Sequence, residues 1–134
     1  WTHEIARRCG ARLGMVAGAA AVVGEPARKR ALRTATGALV VDLETEAAAA
    51  FARRRGLPFA ALRAVADTAE DLLPRAAAEG LTPDGRPAAG RVALALLRRP
   101  KELPAVLTVA KRSRLALQAL AEAGRRLGPA AATA

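Results

Sequence analysis

Between Ala38 and Ala66 two short apolar runs flank a run of strong helix formers, and this pattern constrains the chain more than any other. Ala38 to Leu43 (ALVVDL) is short, apolar and β-branched at Val40 and Val41, so it reads as a buried strand. Glu44 to Arg55 switches to Ala, Glu and Arg and stops at Gly56 ahead of Pro58, the signature of a helix and its end. Phe59 to Ala66 (FAALRAVA) is then expected to return as a second strand. A crossover helix of this length makes such strands parallel and right-handed, with their carboxyl ends on one edge of the sheet. Ligands of open α/β sheets bind at that edge, and Asp42, Glu44 and Asp67 all fall there.

The flanking sequence extends the pattern. Thr2 to Ala11 reads as a short helix and Arg12 to Ala20 (RLGMVAGAA) as another buried strand. Glu25 and Pro26 then open a helix that runs to about Ala35 and stops at Gly37. Thr68 to Ala89 carries Pro74, Gly80, Pro83, Gly85 and Pro87 and is expected to be a long connection, with one helical turn near Arg75 to Glu79. Two helices close the chain, Arg91 to Arg98 and Leu103 to Leu127. In the second, Val106, Ala110, Leu117, Leu120 and Leu127 form an apolar stripe opposite Lys111, Arg114, Gln118, Glu122 and Arg125. Residues 129–134 are small and are expected to be a flexible tail.

Composition narrows the class. With 134 residues, 52% of them apolar, the chain can build a packed core, and its apolar content is mostly Ala, Leu and Val, which suits helices lying close on a sheet. No apolar run approaches the roughly 18 residues a membrane span needs. One cysteine, Cys9, implies no disulfide and hence a cytoplasmic setting. The formal net charge of +10 comes from 22 basic residues, mostly Arg, spread as pairs and triplets along the helices without interleaved aromatics. That distribution fits a solvated surface better than a nucleic-acid binder. No zinc or calcium pattern and no Walker or dinucleotide glycine loop is present, and the lone His3 has no second ligand near it in sequence.

Two blocks carry a resemblance to a known family. Val41 to Ala48 (VDLETEAA) resembles the V-E-M-E-[AS]-x-A-x segment of the nucleoside phosphorylase superfamily, which includes the methylthioadenosine/adenosylhomocysteine nucleosidases. Leu57 to Asp67 (LPFAALRAVAD) resembles the family's V-P-F-x-x-x-R-x-x-S-D segment at the matching spacing. The resemblance runs from about Leu13 to Asp71. It implies an α/β fold: the C-terminal part of one nucleoside phosphorylase-like three-layer α/β/α domain over residues 1–128, with helices flanking a mixed sheet and the N-terminal half absent. The closing region, including LLRRPKELPAVLTVAKRSRLALQAL, is similar to the hopanoid-associated phosphorylases, which act on adenosylhopane.

The chemistry implied is cleavage of the N-glycosidic bond of a purine, specifically adenine, nucleoside by phosphorolysis or hydrolysis. Such cleavage builds positive charge on the sugar and negative charge on the base, so it needs a carboxylate on the sugar and an acid at the base. By resemblance Glu44 binds the ribose hydroxyls and Asp67 protonates the purine at N7, a role that calls for burial at the strand end. Leu43 matches the family Met that packs under the ribose. Asp42 replaces the usual Glu and is either a ligand contact or a capping group. Arg63 is either a charge partner of Asp67 or Glu44 or a structural ion-pair residue. Ala66 stands where the family has Ser and removes a hydroxyl beside the acid.

No cofactor is implied, with phosphate as co-substrate in the phosphorolytic case. The expected partners are a small-molecule purine nucleoside, a lipid-linked substrate or membrane surface, and further copies of the full-length chain in a homo-oligomer, with no nucleic acid. A lipid-linked substrate would put the protein at the inner face of the membrane. Without the rest of the site, this stretch is expected to be inactive alone. The competing expectation is a non-catalytic module that binds an anionic membrane or a partner protein through its basic helical surface.

Overall fold

The computed structural model describes residues 1–80 and 88–128. Within them the order is α1 (Thr2–Cys9), β1 (Val16–Gly18), α2 (Pro26–Thr36), β2 (Val40–Asp42), α3 (Thr45–Arg54), α4 (Arg75–Glu79), α5 (Ala89–Arg98) and α6 (Leu103–Leu127), with a 3-10 turn at Pro100–Glu102 before α6. The fold is α/β. The two strands pair in parallel, Val16 with Val40, Ala17 with Val41 and Gly18 with Asp42, and α2 is the crossover between them. The ladder continues one bond at each end: the Leu39 N–H donates to the Met15 carbonyl at 2.9 Å and the Ala19 N–H to the Asp42 carbonyl at 2.8 Å.

Local chemistry explains these elements. Pro26 sits in the first turn of α2, where its fixed φ suits the helix and its missing N–H costs no bond. Gly37 ends α2 with φ +71°, a left-handed turn that glycine enters without a steric penalty. α3 lies over β1 because Gly18 has no side chain: a Cβ there would stand 2.5 Å from Cβ and 2.6 Å from Oε2 of Glu46. At the other end of the chain Arg8 of α1 donates to the carbonyls of Arg126 (3.0 Å) and Leu127 (2.9 Å), closing the last turn of α6. Glu102 accepts from the Ala76 N–H at 2.9 Å and satisfies the start of α4 in the same way.

Among the described residues the buried hydrophobic side chains are all alanines: Ala6, Ala17, Ala38, Ala52, Ala76 and Ala95. Small side chains let elements approach closely, but each removes little area from water, and burial stabilises by only about 25 cal/mol per Å². Larger groups such as Met15, Leu72, Leu97 and Leu117 stay exposed.

Two sequence expectations are corrected. Phe59 to Ala66 is not a paired strand. Among the described residues none from 58 to 67 takes part in a backbone hydrogen bond, although exposure still alternates residue by residue, with Ala60, Leu62, Ala64 and Ala66 turned inward. The period of two is a property of the side-chain pattern, whereas a strand also needs a neighbour within ladder distance. The second correction concerns the apolar stripe of α6. The inward-turned positions are Val106, Val109, Ser113, Ala116, Glu122, Ala123 and Leu127, while Leu117 is 66% exposed. Alanines and leucines occur on several faces of this helix, so its own periodicity does not choose the face that packs. The expected connection is confirmed as far as it is described, with its helical turn at α4. Pro83, Gly85 and Pro87, and the tail at 129–134, lie outside the described residues.

Candidate functional site

The carboxyl end of β2 leads directly into the first turn of α3, and the junction is held by one largely buried side chain. Asp42 Oδ1 accepts the Thr45 N–H at 2.9 Å, and its Oδ2 takes the Thr45 hydroxyl. Asp42, three residues before the first residue of the helix, therefore satisfies one of its unpaired N–H groups. Arg63 reaches the same place from the 57–74 segment: its Nη2 lies 2.5 Å from Asp42 Oδ2 and donates to Thr45 Oγ1 at 2.8 Å. Burial pushes the Asp42 carboxyl up, but the Thr45 hydroxyl, the N–H groups of Thr45 and Glu44 and the Arg63 guanidinium outweigh it. Its pKa is held below the ordinary aspartate value.

Glu44 lies at the rim of this junction. Its side chain is 70% exposed and its Oε2 is 3.8 Å from Arg63 Nη2. It makes no capping bond to α3, so its oxygens are left facing solvent. Leu43 is also exposed beside it. Of the two charge partners expected for Arg63, Glu44 is within ion-pair range, and Asp42 takes the closer contact.

Asp67 is tied elsewhere. Its Oδ2 accepts from Nζ of Lys29 in α2, and its side chain is 44% exposed, so the burial expected at the end of a strand is absent. The reason is the missing strand: without a ladder around residues 59–66, no sheet closes over Asp67. Lys29 itself is only 9% exposed and also donates to the carbonyls of Thr68 and Asp71, each at 2.9 Å. Asp71 in turn accepts from the Thr68 N–H and hydroxyl, both at 2.7 Å, and pairs with Arg112 of α6 at 2.6 Å. The Arg112 guanidinium, followed by the two Thr68 donors, holds the Asp71 carboxyl far below the usual carboxylate range.

These groups meet around a cavity of about 370 Å³ between β2 and the 63–68 stretch. Asp42, Leu43, Arg63, Asp67 and Lys29 line it, with Glu44 at its mouth through Arg63. A second cavity of about 490 Å³ lies on the other side of the same stretch, between it and α6, with Leu62, Val65, Leu115 and Leu120 among its walls. Residues 63–68 are thus a partition between two spaces. Four of the five residues singled out from the sequence share the first cavity, and the fifth is at its edge. Lys29 was missed. It stands in a helix whose Arg28, Arg30 and Arg33 are exposed, and only the change from Arg to Lys within that run distinguishes it. Among the described residues no group of three or more His, Cys, Asp and Glu is placed to hold a metal ion.

The site is thus an open α/β edge with carboxylates and an arginine around one cavity. The chain belongs to the Phosphorylase superfamily, whose family model matches residues 6–98, a span that includes β1, β2 and every residue lining the first cavity. That makes it a protein of the nucleoside phosphorylase and nucleosidase type. α6 lies beyond the matched span. No curated protein and no solved structure matches the chain.

Proposed function

We propose that this chain carries the sugar-gripping and base-protonating part of a site that cleaves the N-glycosidic bond of a purine nucleoside, with adenine as the leaving base. The supporting observation is the cavity lined by Asp67, Arg63 and Leu43, with Glu44, a solvent-facing carboxylate outside the lining, 3.8 Å from Arg63 Nη2. A carboxylate with both oxygens open accepts two vicinal ribose hydroxyls at once. As the bond between the sugar and the base breaks, its electron pair leaves with the base, and Asp67 supplies the proton that N7 then takes. Water or phosphate adds to the sugar carbon, giving hydrolysis or phosphorolysis. Leu43 provides the apolar floor under the ribose, and Asp42 acts by holding Arg63 and the start of α3.

In this reading the α/β unit belongs to a larger three-layer α/β/α domain with a mixed sheet, and the unpaired backbone of residues 58–67 is the edge at which further strands would pair. The full-length protein acts as a homo-oligomer in the cytoplasm without a cofactor. Incubating it with adenosine, with and without phosphate, tests the reading: free adenine should appear, and Glu44→Gln should lower kcat/KM by about tenfold or more through loss of ribose binding. Absence of free adenine under both conditions would remove it.

A second reading is favoured by α6. Leu107 and Leu117 are exposed there, and Lys111 and Arg114 lie on exposed positions between them. This surface fits contact with a lipid-linked substrate, an adenosylated hopanoid in the hopanoid-associated branch, at an anionic membrane, although no helix of the described residues is long and apolar enough to cross one. Co-sedimentation with anionic vesicles at low salt, lost on Leu117→Glu, is the expected outcome.

A further inference from the structure

Lys29 is a cation turned inward from a helix whose neighbouring cations face water. All three of its ammonium protons point at oxygen: the carbonyls of Thr68 and Asp71, and Oδ2 of Asp67. A ligand could displace none of them without breaking a bond, so Lys29 is not an anion-binding group. Three acceptors converging on one point suit a compact ammonium, whereas the planar fork of a guanidinium would not serve all three, which accounts for Lys here among arginines. Two of the acceptors are backbone and fix the ammonium. The third bond fixes Asp67, and it does so through one oxygen only: no described group donates to Oδ1.

We propose that Lys29 is the positioning residue of the proton donor, holding Asp67 by Oδ2 so that Oδ1 faces the cavity and delivers the proton. This rests on the nucleoside-cleaving reading. When Asp67 passes its proton to the departing base, the carboxylate it becomes is formed against a fixed ammonium already in hydrogen-bond contact, an interaction that strengthens as the reaction proceeds. Three neighbouring guanidinium groups are committed elsewhere. Arg112 of α6 pairs with Asp71, Arg63 with Asp42 and Glu44, and Arg30 of α2 with Glu70 at 2.9 Å. Among the described residues Lys29 is the one cation in hydrogen-bond contact with Asp67.

The test uses the full-length protein with two substrates, adenosine and a nitrophenyl riboside whose leaving group departs without a proton. Lys29→Met should lower kcat on adenosine by about thirtyfold with KM changed less than about threefold, and should leave the nitrophenyl riboside within about threefold of wild type. In an Asp67→Asn background the same change should cost nothing further. Arg112→Gln, which loosens the same loop without touching Asp67, should stay within about twofold on both substrates. Lys29→Gln serves where Lys29→Met does not fold, since it keeps polar bonds to the carbonyls and loses the charge. Equal losses on the two substrates, or losses additive with Asp67→Asn, would overturn the proposal. Crystal structures of the wild type and the Lys29 variant decide it independently of activity: the Asp67 carboxylate should leave its place beside α2, and an unmoved carboxylate refutes the proposal. If the wild type cleaves neither riboside, the nucleoside reading fails while the crystallographic comparison still judges Lys29.

Discussion

The run from β1 to α3 and the segment from residue 57 to residue 74 face each other across one cavity, yet they are held in place by different means. The first is mostly regular: outside the loop between β1 and α2 its backbone groups are paired within helices or along the β1–β2 ladder, and its turns are set by Pro26 and Gly37. The second has almost no backbone pairing until Leu73 donates to the Gly24 carbonyl at 3.0 Å. Long side chains from outside the segment, Lys29 and Arg112, and its own Arg63 hold it instead. One region is placed by its backbone and the other by a few charged side chains. Stability should therefore be concentrated in the first region, and changes of one side chain in the second should act on the chemistry.

The largest effect expected from this contrast is on turnover. In the full-length protein Asp67→Asn should lower kcat on adenosine by about a hundredfold or more while the thermal midpoint stays near that of wild type. Steady-state kinetics beside a melting curve check this, and unchanged turnover would mean that the segment carries no acid.

Next is the link between the two regions. Asp42→Ala removes a helix-start acceptor and strands Arg63, and should cost about 1–3 kcal/mol in denaturant unfolding. Its pH dependence follows from the depressed folded-state value. The stabilisation is present above the ordinary aspartate value of 3.8 and is lost as pH falls through the lower folded-state value. Asp42→Asn should accordingly flatten the acid limb of the stability curve, and an identical limb in both proteins would argue against the pairing of Asp42 with Thr45 and Arg63.

A smaller change tests the regular region alone. Gly18→Ala places a methyl against Glu46 where β1 and α3 touch, and should destabilise by about 1–2 kcal/mol because a Cβ fixed to the backbone cannot rotate away. Smallest of all is Arg30→Gln. It breaks an exposed pair with Glu70 on the 57–74 segment and should shift stability by less than about 0.5 kcal/mol. A larger loss would show that surface pairs, and not Lys29, Arg112 and Arg63 alone, hold the segment down.

The sequence by itself determined the elements whose causes are local. α2 between Pro26 and Gly37, β2 at its β-branched pair, α3 from its Ala, Glu and Arg content, and α6 from Leu103 to Leu127 could be read because capping, propensity and breakers act over a few residues. It also marked Asp42, Leu43, Arg63 and Asp67 among the residues lining the first cavity, because motif spacing survives in the linear order. Tertiary structure alone decided that residues 59–66 find no ladder partner, that α6 packs through Val109, Ser113 and Ala116 and exposes Leu117, and that Lys29 turns inward to Asp67. Those outcomes depend on which surfaces come within bonding distance after the chain has folded back over dozens of residues. Local side-chain pattern restricts those distances but does not set them.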